Sequence, residues 1–253
     1  MAEALVLQKE KNRYRLNVFE ALGAGAFFTT RPLDMAFENP DRRRALDAAG
    51  IDTGNLVCPS QVHGDRVLVV GRQHRGAGVT GRRTAIQDTD ALVTDTKGIA
   101  LSVLTADCLP VFMLDTEKKV IAMVHAGWRG LHHRIVSRAM AVMTEVFGSR
   151  PQDVIAAFGP AIGPCCYRVG EEFVSNFPAA VVRRGGDIFM DLALCARMEL
   201  ESCGVPEEGI LESRICTSCR SEEFYSYRRL GAASGRQMSV LRLNTCAAKN
   251  RGL

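Results

Sequence analysis

Short apolar runs separated by polar turns dominate the chain. "AGAFFTT", "DRVLVV", "DALVTD", "IALSVLT", "PVFMLD" and "KVIAMVHA" are rich in β-branched or aromatic residues and have the length of strands. The last four follow one another closely, and only the polar turn "DTEKK" separates two of them. That spacing predicts a sheet that is partly antiparallel or mixed. After "GWRG" the period changes. In "LHHRIVSRAMAVMTEVFG" the apolar residues Leu131, Ile135, Met140 (or Ala139), Val142, Val146 and Phe147 fall on one helical stripe, and Gly148 ends it.

Further along, "DVIAAFGPAIGP" reads as a strand entering a Gly/Pro turn. "GEEFVSNF" opens a short helix and "DIFMD" is a short strand. "LALCARMELESCGV" is a helix closed by Gly204, and "EFYSYRR" and "RQMSVLRL" read as the final strands. "RRGGD" and "HRGAGVTGRR" look like exposed loops. No internal repeat, low-complexity tract or Ser/Gly linker interrupts this order. One compact α/β domain spanning residues 1–253 is therefore expected.

Composition narrows the picture. A chain of 253 residues, 47% apolar and 24% charged, can bury a substantial core and resembles ordinary globular proteins. The net charge is +4, but the arginines are scattered rather than grouped with aromatics, which argues against a nucleic-acid partner. Small anions such as phosphate remain compatible. The opening "MAEALVLQKEKNRYRLNVFE" has no basic stretch followed by an apolar one, so no export signal is expected. The apolar runs fall far short of the roughly 18 residues a membrane span needs. Nine cysteines without secreted-framework spacing fit reduced thiols and metal ligands, and hence a cytoplasmic protein.

Three stretches place a ligand-type residue at a strand end: "SQVHGDRV" (His63), "TADCLPV" (Cys108) and "VHAGWRG" (His125). Two imidazoles and a thiolate, with a fourth position left open, make a catalytic zinc set. The glycines and Pro110 beside them suit loops that turn sharply at a metal. The structural alternative makes Cys108 a small buried hydrophobe and leaves the histidines bonded to backbone. No C-x-x-C or H-x-x-x-H spacing links the three, so spacing alone leaves both readings open.

Other candidates carry less. "CTSC" (Cys216 to Cys219) lacks a second pair at ribbon spacing. A reduced pair near the site rim is the favoured reading; a four-sulfur site completed by Cys165 and Cys166 is the less favoured one. His132 and His133 read as exposed polar positions, and His74 as a loop residue without a partner. Tyr167 would offer a ring and a hydroxyl to a pocket wall. Asp88 and Asp90 suit acceptors behind a metal-bound imidazole, with turn formation as the alternative. Trp128 would pack under the metal loop. Neither a P-loop nor a G-x-S-x-G elbow occurs, which excludes those routes to ATP binding and serine hydrolysis.

Taken in order, "QVHG", "TADCLPV", "HAGWRG", "GPAIGPCCYRVG" and "FYSYRR…SGRQ" closely resemble the laccase-domain family of multicopper polyphenol oxidoreductase-like proteins. The same family is known for purine nucleoside phosphorylases and a peptidoglycan-editing factor. The likeness runs from about Phe27 to Leu243. It implies a four-layer α/β/β/α fold with mixed sheets, and one zinc held by His63, Cys108 and His125, the same three residues forming the catalytic centre. Cys108 would serve both as a ligand and as a thiolate beside the reacting groups. The early segment departs from the family: "TTRPLDMAFENPDRRRAL" lacks a "GGVS…NLG" stretch, and Asp41-Arg42 replaces an Asn-Arg pair. Thr30, Arg31 and Arg42 do match. Arg31, Arg42 and Tyr167 are the expected substrate contacts, the arginines suiting phosphate unless they form surface ion pairs.

The resemblance implies phosphorolysis of adenosine, inosine and methylthioadenosine, and deamination of adenosine, with a nucleoside and phosphate as small-molecule partners. Two alternatives come with it. One is copper-dependent polyphenol oxidation, in which copper would take the zinc donors, although five histidines are too few for a multicopper centre. The other is editing of misloaded muramyl-peptide precursors of the cell wall.

Overall fold

A computed structural model describes residues 5–245. Two six-stranded mixed sheets form its framework. The first runs Leu7–Glu10, Arg13–Leu16, Ala24–Thr29, Gln237–Leu243, Ala100–Thr105 and Leu56–Val57, antiparallel except for its last pair. The second runs Ile210–Glu212, Val154–Phe158, Leu109–Asp115, Ile121–Ala126, Ala91–Thr94 and Val67–Val69. It is parallel at both edges and antiparallel between them.

Side chains alternate across a strand, so each central strand feeds two layers. Phe112, Leu114, Ile121 and Met123 of the second sheet meet Leu101, Val103 and Leu241 of the first in one buried cluster. Their neighbours Val111, Met113, Ala122 and Val124 face the other way. There they pack against Ile135, Ala139 and Met143 of helix Ile135–Phe147 and Leu200 of helix Leu192–Ser202. On the far side of the first sheet, Leu104, Met238 and Val240 pack against Ala45 and Leu46 of helix Arg42–Ala48. The layering is helix, sheet, sheet, helix, as the family resemblance implies. Strands covered on both faces need apolar residues at consecutive positions, which is why they read as runs rather than as alternations.

Three sequence expectations are corrected. The long stripe after "GWRG" is two helices, Trp128–His132 and Ile135–Phe147, because Arg134 adopts a left-handed conformation (φ 59°) between them. "EFYSYRR" is not a strand. Tyr225 exchanges backbone hydrogen bonds with the side-chain amide of Gln237, and Tyr227–Leu230 turns into a short helix. "RRGGD" is exposed as expected but closes a hairpin rather than forming a loop, with Val181–Arg184 paired to Asp187–Met190 and Gly185 and Gly186 at positive φ in the turn.

The pairing register sets up the site. Pro110 lies opposite His125 and Leu109 opposite Ala126, so Cys108 and His125 arrive at the same end of the second sheet. Ala91 pairs with Val124 on the other flank, which brings Asp90 alongside His125.

Candidate active site

Asp90 is the hinge of the constellation. Its carboxylate is fully buried and accepts the backbone N–H groups of Val62 (3.2 Å), His63 (3.0 Å) and Gly64 (2.9 Å). It also bonds His125 Nδ1 at 2.7 Å, while its main-chain carbonyl accepts the His125 N–H at 2.8 Å. One acidic side chain thus shapes the loop carrying His63 and fixes the ring of His125. Burial opposes charge on Asp90, but the bond to His125 and the loop amides prevail and hold its carboxyl below the usual range. Asp88, the other expected acceptor, is an exposed turn residue with φ 49°.

His63, Cys108 and His125 each offer a ligand atom within 4.8 Å of the others. The two imidazoles meet edge to face, with centroids 4.9 Å apart. With Nδ1 of His125 committed to Asp90, its Nε2 is the nitrogen left for the cluster. Burial pushes the Cys108 thiol up, yet the adjacent His125 and His63 bring it down to about 6. Burial likewise disfavours charge on His125, and Cys108 with Asp90 overrides it, raising the imidazole to about 9. Each group thus favours the charged form of the other, a thiolate beside an imidazolium.

Gly127 is required by space. A Cβ there would lie 3.0 Å from His63 Cδ2 and 3.1 Å from Cys108 Sγ, between two members of the cluster. His63 (φ 60°) and Asp107 (φ 88°) hold left-handed backbone conformations next to the cluster. Strain of this kind persists where the surroundings enforce it. At Asp107 they do so through Thr217 Oγ1 and the Arg228 N–H, both donating to its carboxylate at 2.6 Å, and through Ile162 N–H bonded to its carbonyl.

The cluster opens into a cavity of about 540 Å³. Tyr167 lines it as expected, and burial, reinforced by the nearby Cys108 sulfur, raises its hydroxyl to about 12. Arg31 and Arg42 do not line it. Arg31 is exposed, donates to the Ser221 carbonyl and lies over the Tyr225 ring. Arg42 is buried behind Phe37, where it donates to the carbonyls of Met35 and Gly78. The cations at the cavity are instead Arg82, Arg129, Arg228 and Arg236. Each guanidinium lies over an aromatic ring of the same wall: Phe37, Trp128, Tyr167 and Tyr227 respectively, at 4.4–5.9 Å from the centroid. Three of these arginines sit inside the quoted motifs "HAGWRG", "SYRR" and "SGRQ", where a signal was present. Arg82 and Phe37 come from loops that carry none.

The remaining candidates separate cleanly. Trp128 packs on Phe173 (5.1 Å) at the start of its helix. His132 and His133 are exposed, and His74 Nδ1 accepts the Gly71 N–H within its own turn. Among the described residues no helix is long and apolar enough to cross a membrane.

Residues 36–244 match the family model described as multi-copper polyphenol oxidoreductase laccase. An adenosine deaminase, RL5, from an unknown prokaryotic organism is 38% identical, over 78% of this chain and 80% of its own length. A purine nucleoside phosphorylase of Bacteroides thetaiotaomicron is 36% identical, over 75% of this chain and 73% of its own. The crystal structure of YlmD from Geobacillus stearothermophilus superposes with a TM-score of 0.88 at 29% identity, covering 95% of this chain and all of that one. With the fold, the ordered motifs and these likenesses in agreement, the chain belongs to the multi-copper polyphenol oxidoreductase laccase family.

Proposed function

We propose that this protein is a zinc-dependent purine nucleoside enzyme. Its reactions would be phosphorolysis of adenosine, inosine and methylthioadenosine, and deamination of adenosine. The observation that carries the reading is the cavity itself, in which the His63–Cys108–His125 cluster adjoins ring faces and arginines in alternation. The names of the relatives, adenosine deaminase and purine nucleoside phosphorylase, support it.

The donor set fits a divalent metal. Two imidazoles and a low-pKa thiolate converge, Asp90 fixes the His125 tautomer from behind, and Gly127 keeps the space between ligands clear. Bound there, zinc would supply Lewis acidity at the reacting oxygen. Among the described residues only two histidines face the cluster, which fits a single metal better than a multicopper centre.

The chain's own groups would do the rest. The cation–ring pairs at the cavity, Arg228 over Tyr167 and Arg236 over Tyr227, would offer flat surfaces against which a purine stacks. Arg129 and Arg228, exposed at the cavity, would hold phosphate beside the sugar's anomeric carbon. In phosphorolysis the bond from C1′ to the base breaks, a phosphate oxygen bonds C1′, and the base takes up a proton. Tyr167, still protonated at neutral pH, is placed to donate a hydrogen bond as charge develops on that base. In deamination, water adds to the purine carbon and ammonia leaves.

Chromatography of inosine with phosphate, and of adenosine alone, tests this reading. Hypoxanthine with ribose 1-phosphate, and inosine from adenosine, are the expected products. Protein that carries metal yet leaves every purine nucleoside intact contradicts it.

A further inference from the structure

A second group of ligand-type side chains converges away from the His63–Cys108–His125 cluster. The sulfurs of Cys165, Cys166, Cys216 and Cys219 all lie within 4.8 Å of one another. The sequence favoured a reduced Cys216/Cys219 pair; the fold adds Cys165 and Cys166 to it. We propose that these four cysteines form a tetrathiolate site for a structural zinc ion, which clasps the two turns that build one wall of the cavity.

Sulfurs about 2.3 Å from a tetrahedral zinc stand about 3.8 Å apart. Here Cys219 Sγ is 3.5 Å from Cys165 Sγ and 3.4 Å from Cys166 Sγ, so a small adjustment completes the tetrahedron. Nearly equal distances to two partners argue against a disulfide, which would engage one and strand the other beside Cys216. A metal uses all four. The Gly163 N–H points at Cys216 Sγ (3.3 Å) and the Cys219 amide also favours its thiolate. Amide-to-sulfur bonds of this kind stabilise the ligand form.

The two turns are already pinned together. Ala161 and Cys216 form a parallel bridge, with Ala161 N–H bonded to Ile215 O and Thr217 N–H to Ala161 O. Gly163 has no side chain to hold them apart: a Cβ there would come within 3.3 Å of Cys165 Sγ. Four thiolates around one zinc carry a net double negative charge, their protons having passed to solvent. Arg184 donates to the Pro164 carbonyl and Arg229 to the Ser218 carbonyl, placing one guanidinium against each turn.

The position gives the site a purpose. Ile162 and Tyr167 flank the first cysteine pair and line the cavity. Thr217, inside the second pair, donates to Asp107, the residue before Cys108. A metal here would hold the wall that presents Tyr167 and Arg228.

The test uses the full chain, reduced, stripped of metal and reloaded with zinc. Two zinc ions per chain are expected, falling to one in a His63→Ala, His125→Ala variant. Loaded with cobalt(II), that variant should show intense near-ultraviolet thiolate-to-metal absorption, absent when Cys165→Ser and Cys219→Ser are added. On the wild-type chain, zinc should slow iodoacetamide alkylation of all four cysteines more than tenfold. A reduced His63→Ala, His125→Ala chain that takes up no zinc overturns the proposal. Equal alkylation of the four cysteines with and without zinc does so even if the variants misfold. Neither measurement uses turnover, so failure here and failure of the nucleoside reading are distinguishable.

Discussion

At the scale of single residues, Asp90 holds the most connections in the site. One carboxylate serves three loop amides and the His125 ring, so Asp90→Ala removes the shape of the His63 loop and the orientation of His125 together. Metal affinity should fall about 10- to 100-fold. Unfolding by urea should show a loss of roughly 2–4 kcal/mol, since the orphaned donors lose their acceptor. Gly127→Ala should act differently. Its Cβ meets His63 and Cys108 but little of the core, so calorimetry should find the fold nearly intact while equilibrium dialysis finds weakened zinc binding.

The thiolate–imidazolium pair also fixes a pH dependence. With His125 raised to about 9, the protonated ring must lose a proton before it can bind metal; Cys108, lowered to about 6, has already lost its own. Between those values affinity should therefore rise about tenfold per pH unit, one proton leaving per ion bound. Below about 6 a second proton steepens the fall. A chelator-competition titration in a Cys216→Ser, Cys219→Ser background, which leaves only this cluster, reads that slope directly. A flat profile through neutral pH would show that His125 is already neutral before metal binds and would contradict the raised imidazole.

At the scale of elements, the second sheet brings Cys108 and His125 to one end in register. Phe112 is fully buried between the sheets, and Phe112→Ala should cost about 3–5 kcal/mol, measurable by urea unfolding. The central strands were legible because both their faces are covered, which forces apolar residues into unbroken runs such as "PVFMLD". Helix Arg42–Ala48 was not, since three arginines mask the short apolar side formed by Ala45 and Leu46. "EFYSYRR" has the residues of a strand. Its backbone is instead claimed by Gln237 and Asp107, partners distant in sequence that no local pattern announces.

The same contrast runs through the site. His63, Cys108 and His125 stood out because each occupies a short motif of turn and ligand-type residues beside an apolar run. Which arginines face the cavity depended on the fold: Arg31 and Arg42 point elsewhere, and Arg129 and Arg228 take the places by the rings. Convergence of the four other cysteines required a bridge between Ala161 and Cys216, invisible to spacing rules.

At the scale of the whole molecule, the four-layer fold is a frame that brings the His63–Cys108–His125 cluster to a cavity lined by cations and aromatic rings. On the proposed reading, that cavity would take a flat base joined to a sugar, together with the incoming phosphate. Cys108 sits where all of this meets, and serine in its place is a far poorer zinc ligand than a thiolate at neutral pH. The most direct measurement is inosine turnover with phosphate by the wild-type chain and by Cys108→Ser, matched for folded content by circular dichroism. The account predicts that hypoxanthine and ribose 1-phosphate appear in equal amounts with the wild type, only when phosphate is present, and that Cys108→Ser loses essentially all turnover. A Cys108→Ser protein that releases base at the wild-type rate would contradict it.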